Sequence, residues 1–259
     1  MTEELEGVNM YTKTEILSIA KKQLALDYNC KLSDFEKQEN TITENKLQEG
    51  RRIYESDGCI LKIITIGGKA IICADEKIRP WTEEKLLKRD ASWLFDYDKL
   101  RAIDNKLREF GHEIDQMPHF YLPNPVTCEV KPITTIKWFE REEISQFQDD
   151  SRFDEAFVFS DNYPDVLAVA AFEGDNIIGM AGASEDSKTL YQIGINVMPE
   201  YKAKGIGTNL VTLLKQELLN RGKVPFYGTA VSHIISKNTA INAGFFPAWA
   251  EVYSRKLKD

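Results

Sequence analysis

The 259 residues carry 41 acidic against 33 basic side chains, a formal net charge of −8, with 42% hydrophobic and 29% charged residues. These proportions are those of a globular chain in water, long enough for two domains that each bury a core. The acidic balance argues against a nucleic-acid partner, which requires a basic surface to neutralise phosphates, and no apolar run approaches the roughly 18 residues of a membrane span.

The chain begins MTEELEGVNMYTK, acidic where a secretory signal would be basic and then apolar, so a cytoplasmic location is expected. The segment TKTEILSIAKKQLAL places Ile16, Leu17, Ala20 and Leu24 at helical spacing after a threonine able to cap it. CILKIITIGGKAIICA sets two β-branched runs on either side of Gly67 and Gly68, which predicts an antiparallel hairpin. WTEEKLLKRD and YDKLRAIDNKLREFG read as helices, the second closed by Gly111. The prolines of YLPNPV, Tyr121 to Val126, break helix and central strand alike and place a linker there, giving domains 1–125 and 126–259. Cys30, Cys59, Cys73 and Cys128 form no CxxC pair and are expected to be buried free thiols. His112, His119 and His233 share no metal-ligand spacing, so no metal is expected.

In the second half TTIKWFE predicts a strand and REEISQFQDDSRFDEAFVF one or two helices. VLAVAAFEGD, NIIGMAGASED and TLYQIGINV predict three consecutive antiparallel strands. TNLVTLLKQELLNRG is a helix with Leu210, Val211, Leu213, Leu214 and Leu218 on one stripe and Gly222 ending it. VPFYGTAV, SHIISKNTAINAG and AWAEVYSRKL complete the half, whose order is β, α, β, β, β, α, β, α, β.

Between the third strand and the leucine helix lies PEYKAKGIGTNL. A Walker A loop is excluded because GxxxxGK is absent, and the third glycine of a dinucleotide fingerprint is replaced by Leu210. What remains is a basic residue, two spacers and GxG running into a helix: Lys202, Ala203, Lys204, Gly205, Ile206 and Gly207. Such a loop brings backbone N–H groups, a helix dipole and two lysines to one point, which suits a pyrophosphate; the alternative is a plain glycine turn with solvated lysines.

VMPEYKAKGIG, Val197 to Gly207, resembles the acetyl-CoA signature of the GNAT superfamily of N-acetyltransferases, with lysine for arginine at Lys202 and alanine for glycine at Ala203, the latter expected to take an ordinary φ. SKNTAINAGF, Ser236 to Phe245, is similar to the helix beside the pantetheine arm in that family, and the likeness covers about residues 127–259. The resemblance implies an α+β fold in which a mixed, mostly antiparallel sheet flanked by helices follows a smaller α+β domain. It is that of the two-domain bacterial members whose N-terminal half is a degenerate copy.

It further implies acetyl-CoA as cosubstrate, bound by Asn196, Val197, Met198, Lys202, Ala203, Lys204, Gly205, Ile206, Gly207, Thr208 and Ser236, and transfer of the acetyl group to a primary amine of a small-molecule or peptide acceptor by a monomer or homodimer. The family's usual tyrosine acid falls at Ala240, so Tyr227 and His233 are candidate acids, and Glu185 or Asp186 candidate bases. A non-catalytic acyl-CoA sensor or scaffold and a longer acyl donor are the alternatives.

Overall fold

In a computed structural model the described residues are 11–53, 58–125 and 130–258. The start of the chain, Cys128 and the end of the expected linker at Val126 therefore lie outside them. The elements are α1 (Lys13–Asp27), β1 (Thr41–Glu44), β2 (Leu61–Ile66), β3 (Lys69–Ala74), α2 (Arg79–Lys85), α3 (Tyr97–Arg108), β4 (His112–Gln116), β5 (Pro118–Pro123), β6 (Thr135–Glu140), α4 (Arg141–Ile144), β7 (Asp165–Glu173), β8 (Asn176–Glu185), β9 (Leu190–Val197), α5 (Ile206–Asn220), β10 (Val224–Ala230), α6 (Ile234–Asn242) and β11 (Phe245–Lys256). Among the described residues no helix is long and apolar enough to cross a membrane.

The chain divides into two units. One comprises the described residues of Met1–Ala20, Tyr121–Gly228 and His233–Phe246; the other comprises Lys21–Phe120, Thr229–Ser232 and Pro247–Asp259.

In the first unit the strands lie in the order β10-β9-β8-β7-β6, antiparallel except for β10 beside β9. The period of two sorts the side chains. Leu167, Val169 and Ala171 of β7 join Ile206, Leu210, Val211, Leu214 and Leu218 of α5 on one face. Ala168 and Ala170 turn to the other, where Phe139, Phe147, Phe153 and Phe157 gather. The leucine stripe is thus the reason α5 lies on the sheet. The expected helices of residues 141–159 shrink to the single turn of α4 and two 3-10 turns, Ser145–Phe147 and Ser151–Phe153.

The second unit carries β1-β3-β2-β11, with β4 against the end of β11. Its hairpin turns at Gly67 and Gly68, both with positive φ, and its core combines Leu61, Ile63 and Ile72 with Ile103 and Leu107 of α3. α1 is capped as its sequence requires, Thr12 Oγ1 accepting from Glu15 N (3.2 Å) while the Glu15 carboxylate accepts from Thr12 N (2.7 Å). Its C-terminal part delivers Asp27 to a buried ion-pair cluster: Arg52 Nε donates to Asp27 Oδ2 (2.6 Å) and an Arg52 Nη to Glu251 Oε1 (2.8 Å).

Three expectations are corrected. Residues 121–123 of the expected linker are strand, because β5 carries its prolines only at its first and last positions, where a missing N–H is tolerated. Cys73 is buried, but Cys30 and Cys59 are only partly so, because neither sits on an inward-facing strand position. Ala203 has φ +61, in the left-handed region, against the expected ordinary value. The turn geometry is kept although the glycine that would adopt it freely is gone, at a cost of about 1–2 kcal/mol.

Candidate active site

After β9 the chain makes a 3-10 turn, Pro199–Tyr201, and enters α5 through Gly205, whose φ of +82 only glycine adopts without strain. The first backbone bond into α5 is Asn209 N to Gly205 O (3.0 Å). The six N–H groups of residues 203–208 therefore donate to nothing among the described residues. At a helix N-terminus such groups, with about half a positive charge from the dipole, form an anion cradle. Lys202 and Lys204 are exposed beside it, and Lys204 Nζ sits 4.7 Å from the centre of the Tyr201 ring. Asn209 fixes the rim: its side chain accepts from Ile133 N (3.2 Å) and donates to Lys131 O (3.0 Å). A Cβ on Gly207 would lie 3.2 Å from Val197 Cγ2, a tight contact with the end of β9.

β9 and β10 pair only from Leu190–Val224 to Ile193–Tyr227. Beyond that point β9 continues beside β8 alone, with Val197 opposite Gly179. Met198 N bonds Ile178 O (3.0 Å), so by the alternation of an antiparallel ladder Asn196 faces β8 while Ile195 and Val197 turn N–H and C=O to the open edge. An extended chain with amide groups can pair there as an added strand does. The Asn196 side chain is not available to such a ligand: its Oδ1 accepts from Glu155 N (3.0 Å) and Ala156 N (2.7 Å).

Residues 131–243 match the family model described as acetyltransferase (GNAT) family. The chain carries a GNAT acetyltransferase domain. Among solved structures it is similar to a GCN5-related N-acetyltransferase-like protein from Streptococcus suis (11% identity, 80% of this chain and 88% of that one, TM-score 0.46). It is also similar to a GNAT-family acetyltransferase from Colwellia psychrerythraea (9%, 96% and 99%, 0.45) and to an aminoglycoside N-acetyltransferase in complex with CoA (19%, 44% and 92%, 0.33). No curated protein matches the chain.

In the GNAT domain Val197 and Met198 lead into the loop formed by Lys202, Ala203, Lys204, Gly205, Ile206, Gly207 and Thr208, so these expected cofactor-binding residues are contiguous. Ser236 joins a different part: its Oγ lies 2.9 Å from Tyr227 Oη. Tyr227 closes the last β9–β10 pair, where the strands part. Burial is the main cause that pushes its phenol up; the Glu155 carboxylate adds to this and the Ser236 hydrogen bond opposes it. The phenol therefore keeps its proton at neutral pH, as a general acid must.

His233 is exposed at the N-cap of α6 and makes no side-chain cap bond. Glu185 lies opposite Tyr191, six residues along β9 from Val197, or about 20 Å of strand. Tyr191 itself is two residues before Ile193, the last residue of β9 paired with β10. Asp186 accepts from Ser184 Oγ (2.7 Å). Cys30 is no nucleophile at neutral pH, since burial pushes its thiol up to about 12.

Sequence reasoning missed the approach of residues 154–157 to the sheet. A Cβ on Gly194 would stand 3.0 Å from the Glu155 carbonyl carbon and 3.1 Å from Ala156 Cα, and nearer still to the Glu155 oxygen. One on Gly182, its cross-strand neighbour, would meet Phe157 ring atoms at 2.8 and 2.9 Å. Two glycines inside strands were the available signal, because such glycines mark close backbone approach.

Proposed function

We propose that the protein is an acetyl-CoA-dependent N-acetyltransferase that acetylates a primary amine of a small-molecule or peptide acceptor. The observation that carries this reading is the run of six N–H groups at residues 203–208 that are unbonded among the described residues, ending in the N-terminus of α5 and flanked by two exposed lysines, within a GNAT domain. These residues fit a pyrophosphate. The N–H groups and the Thr208 hydroxyl donate to its oxygens, Lys202 and Lys204 offset its charge, and Gly205 supplies the conformation that aims the donors.

The backbone groups of Ile195 and Val197 receive the amides of the pantetheine arm and direct it into the gap between β9 and β10. Acetyl-CoA supplies an activated acyl group, a thioester whose carbonyl carbon accepts an amine. Tyr227, held 2.9 Å from Ser236, keeps a proton at the point where the strands separate, in position to protonate a leaving thiolate. Positioning supplies much of the rate in such transfers.

A second reading, a non-catalytic acyl-CoA sensor, rests on Ala240, fully buried where many family members carry the tyrosine acid. Release of free thiol from acetyl-CoA across a panel of primary amines separates the two. Amine-dependent thiol release with acetylated product establishes the transferase; acetyl-CoA binding with no release for any amine favours the sensor.

A further inference from the structure

Glu155 occupies a position the sequence did not single out. The 3-10 turn Ser151–Phe153 and the residues after it lie on the sheet face opposite α5, where Gly194 and Asn196 point. Only backbone atoms hold Glu155 there: its N–H donates to Asn196 Oδ1 (3.0 Å) and its carbonyl rests on Gly194. Its side chain is exposed and makes no hydrogen bond or ion pair among the described residues. Gly194 is the first residue of β9 past the last pair with β10, so Glu155 stands directly over the mouth of the gap.

Tyr227 stands at the same mouth from the other face, since Ile193 and Tyr227 both pack into the α5 core. The carboxylate of Glu155 nevertheless acts on the Tyr227 phenol through its charge, helping to push it up. Neighbouring acids are otherwise engaged: Asp154 Oδ1 accepts from Asn196 Nδ2 (3.3 Å), and Glu185, opposite Tyr191, acts on the Tyr191 phenol.

The geometry points to Glu155 as the group that receives the acceptor's ammonium and takes its proton, on the sheet face opposite Tyr227. This rests on the transferase reading above. The bond broken is one substrate N–H; its electron pair stays on nitrogen, which becomes the nucleophile, and the proton passes to a Glu155 carboxylate oxygen and then to solvent. The site accordingly selects cationic amines over neutral or acidic acceptors, because the free carboxylate attracts the ammonium before deprotonating it.

The test compares Glu155→Gln and Glu155→Asp with the wild type. Calorimetry with acetyl-CoA alone comes first, then thiol release with a diamine, an amino sugar and an amino-acid amide. A Glu155→Gln protein that binds acetyl-CoA like the wild type, loses about 100-fold or more in kcat/KM for the amine, and recovers partly as Glu155→Asp supports the proposal. A readout independent of turnover is the Tyr227 titration by carbon-13 NMR at Cζ, assigned with Tyr227→Phe, whose midpoint falls in Glu155→Gln. Retained turnover or an unmoved Tyr227 midpoint in Glu155→Gln overturns the assignment and leaves the transferase reading standing. Failure of the wild type to bind acetyl-CoA overturns the transferase reading itself.

Discussion

Replacing Gly194 with alanine tests the packing that sets Glu155 over the cleft. By backbone propensity alone this change stabilises a strand, since alanine has less freedom to lose on folding, by about 0.4–1 kcal/mol. The structure predicts the opposite sign. The new Cβ would fall within 3.0 Å of the Glu155 carbonyl, a separation real Cβ atoms do not adopt, and the obstacle is backbone rather than the end of a flexible side chain. Relief requires the turn to lift off the sheet, which strains or breaks the bonds from Glu155 N and Ala156 N to Asn196 Oδ1, now 3.0 and 2.7 Å.

Overpacking costs about 1–3 kcal/mol and each lost hydrogen bond about 1 kcal/mol, so a net loss of about 3 kcal/mol is expected. Urea unfolding followed by circular dichroism reads this as a fall in midpoint of about 1 M, for a slope of about 2–3 kcal/mol per M. Gly174→Ala is the control: it has open space around it but a φ of +59, and should cost only about 1–2 kcal/mol. A Gly194→Ala midpoint at or above that of the wild type would refute the close approach.

Four further outcomes follow from named contacts. Gly205→Val should weaken acetyl-CoA binding by about tenfold or more in calorimetry, because a β-branched residue resists the +82° φ that aims the loop. Exchanging both Lys202 and Lys204 for glutamine should raise the acetyl-CoA Kd and flatten its salt dependence, read from titrations at low and high ionic strength. Arg52→Ala should destabilise by about 3–5 kcal/mol in urea unfolding, since it strands Asp27 and the fully buried Glu251 without their cation. Tyr227→Phe should lower kcat by about 100-fold while leaving the acetyl-CoA Kd unchanged, because only the hydroxyl bonded to Ser236 is lost.

Where one period dominates a segment, the sequence was legible. The leucine stripe of α5, the Gly67-Gly68 hairpin and the β7–β9 meander appear where their patterns put them. The glycine loop running into α5 was legible too, because a lysine, spacers and GxG before a helix state both a conformation and a charge. β1 escaped because four residues, TITE, carry too little pattern, and β5 because its terminal prolines read as punctuation. The parallel pairing of β9 with β10 and its end at Tyr227 depend on residues far apart in the chain, which no local period encodes. Glu155 was hidden for the same reason: its place is set by the missing side chains of Gly182 and Gly194, some 30 to 40 residues onward. Ala203 shows the converse, an ordinary residue held in a glycine conformation by the turn around it.

The central claim, that residues 203–208 hold the pyrophosphate of acetyl-CoA, is tested most directly by amide hydrogen exchange with and without the cosubstrate. The six N–H groups have no partner among the described residues, so they should exchange fast alone and become protected when acetyl-CoA is added, in step with its calorimetric saturation. Saturable binding with no change in exchange across residues 203–208 would contradict the account.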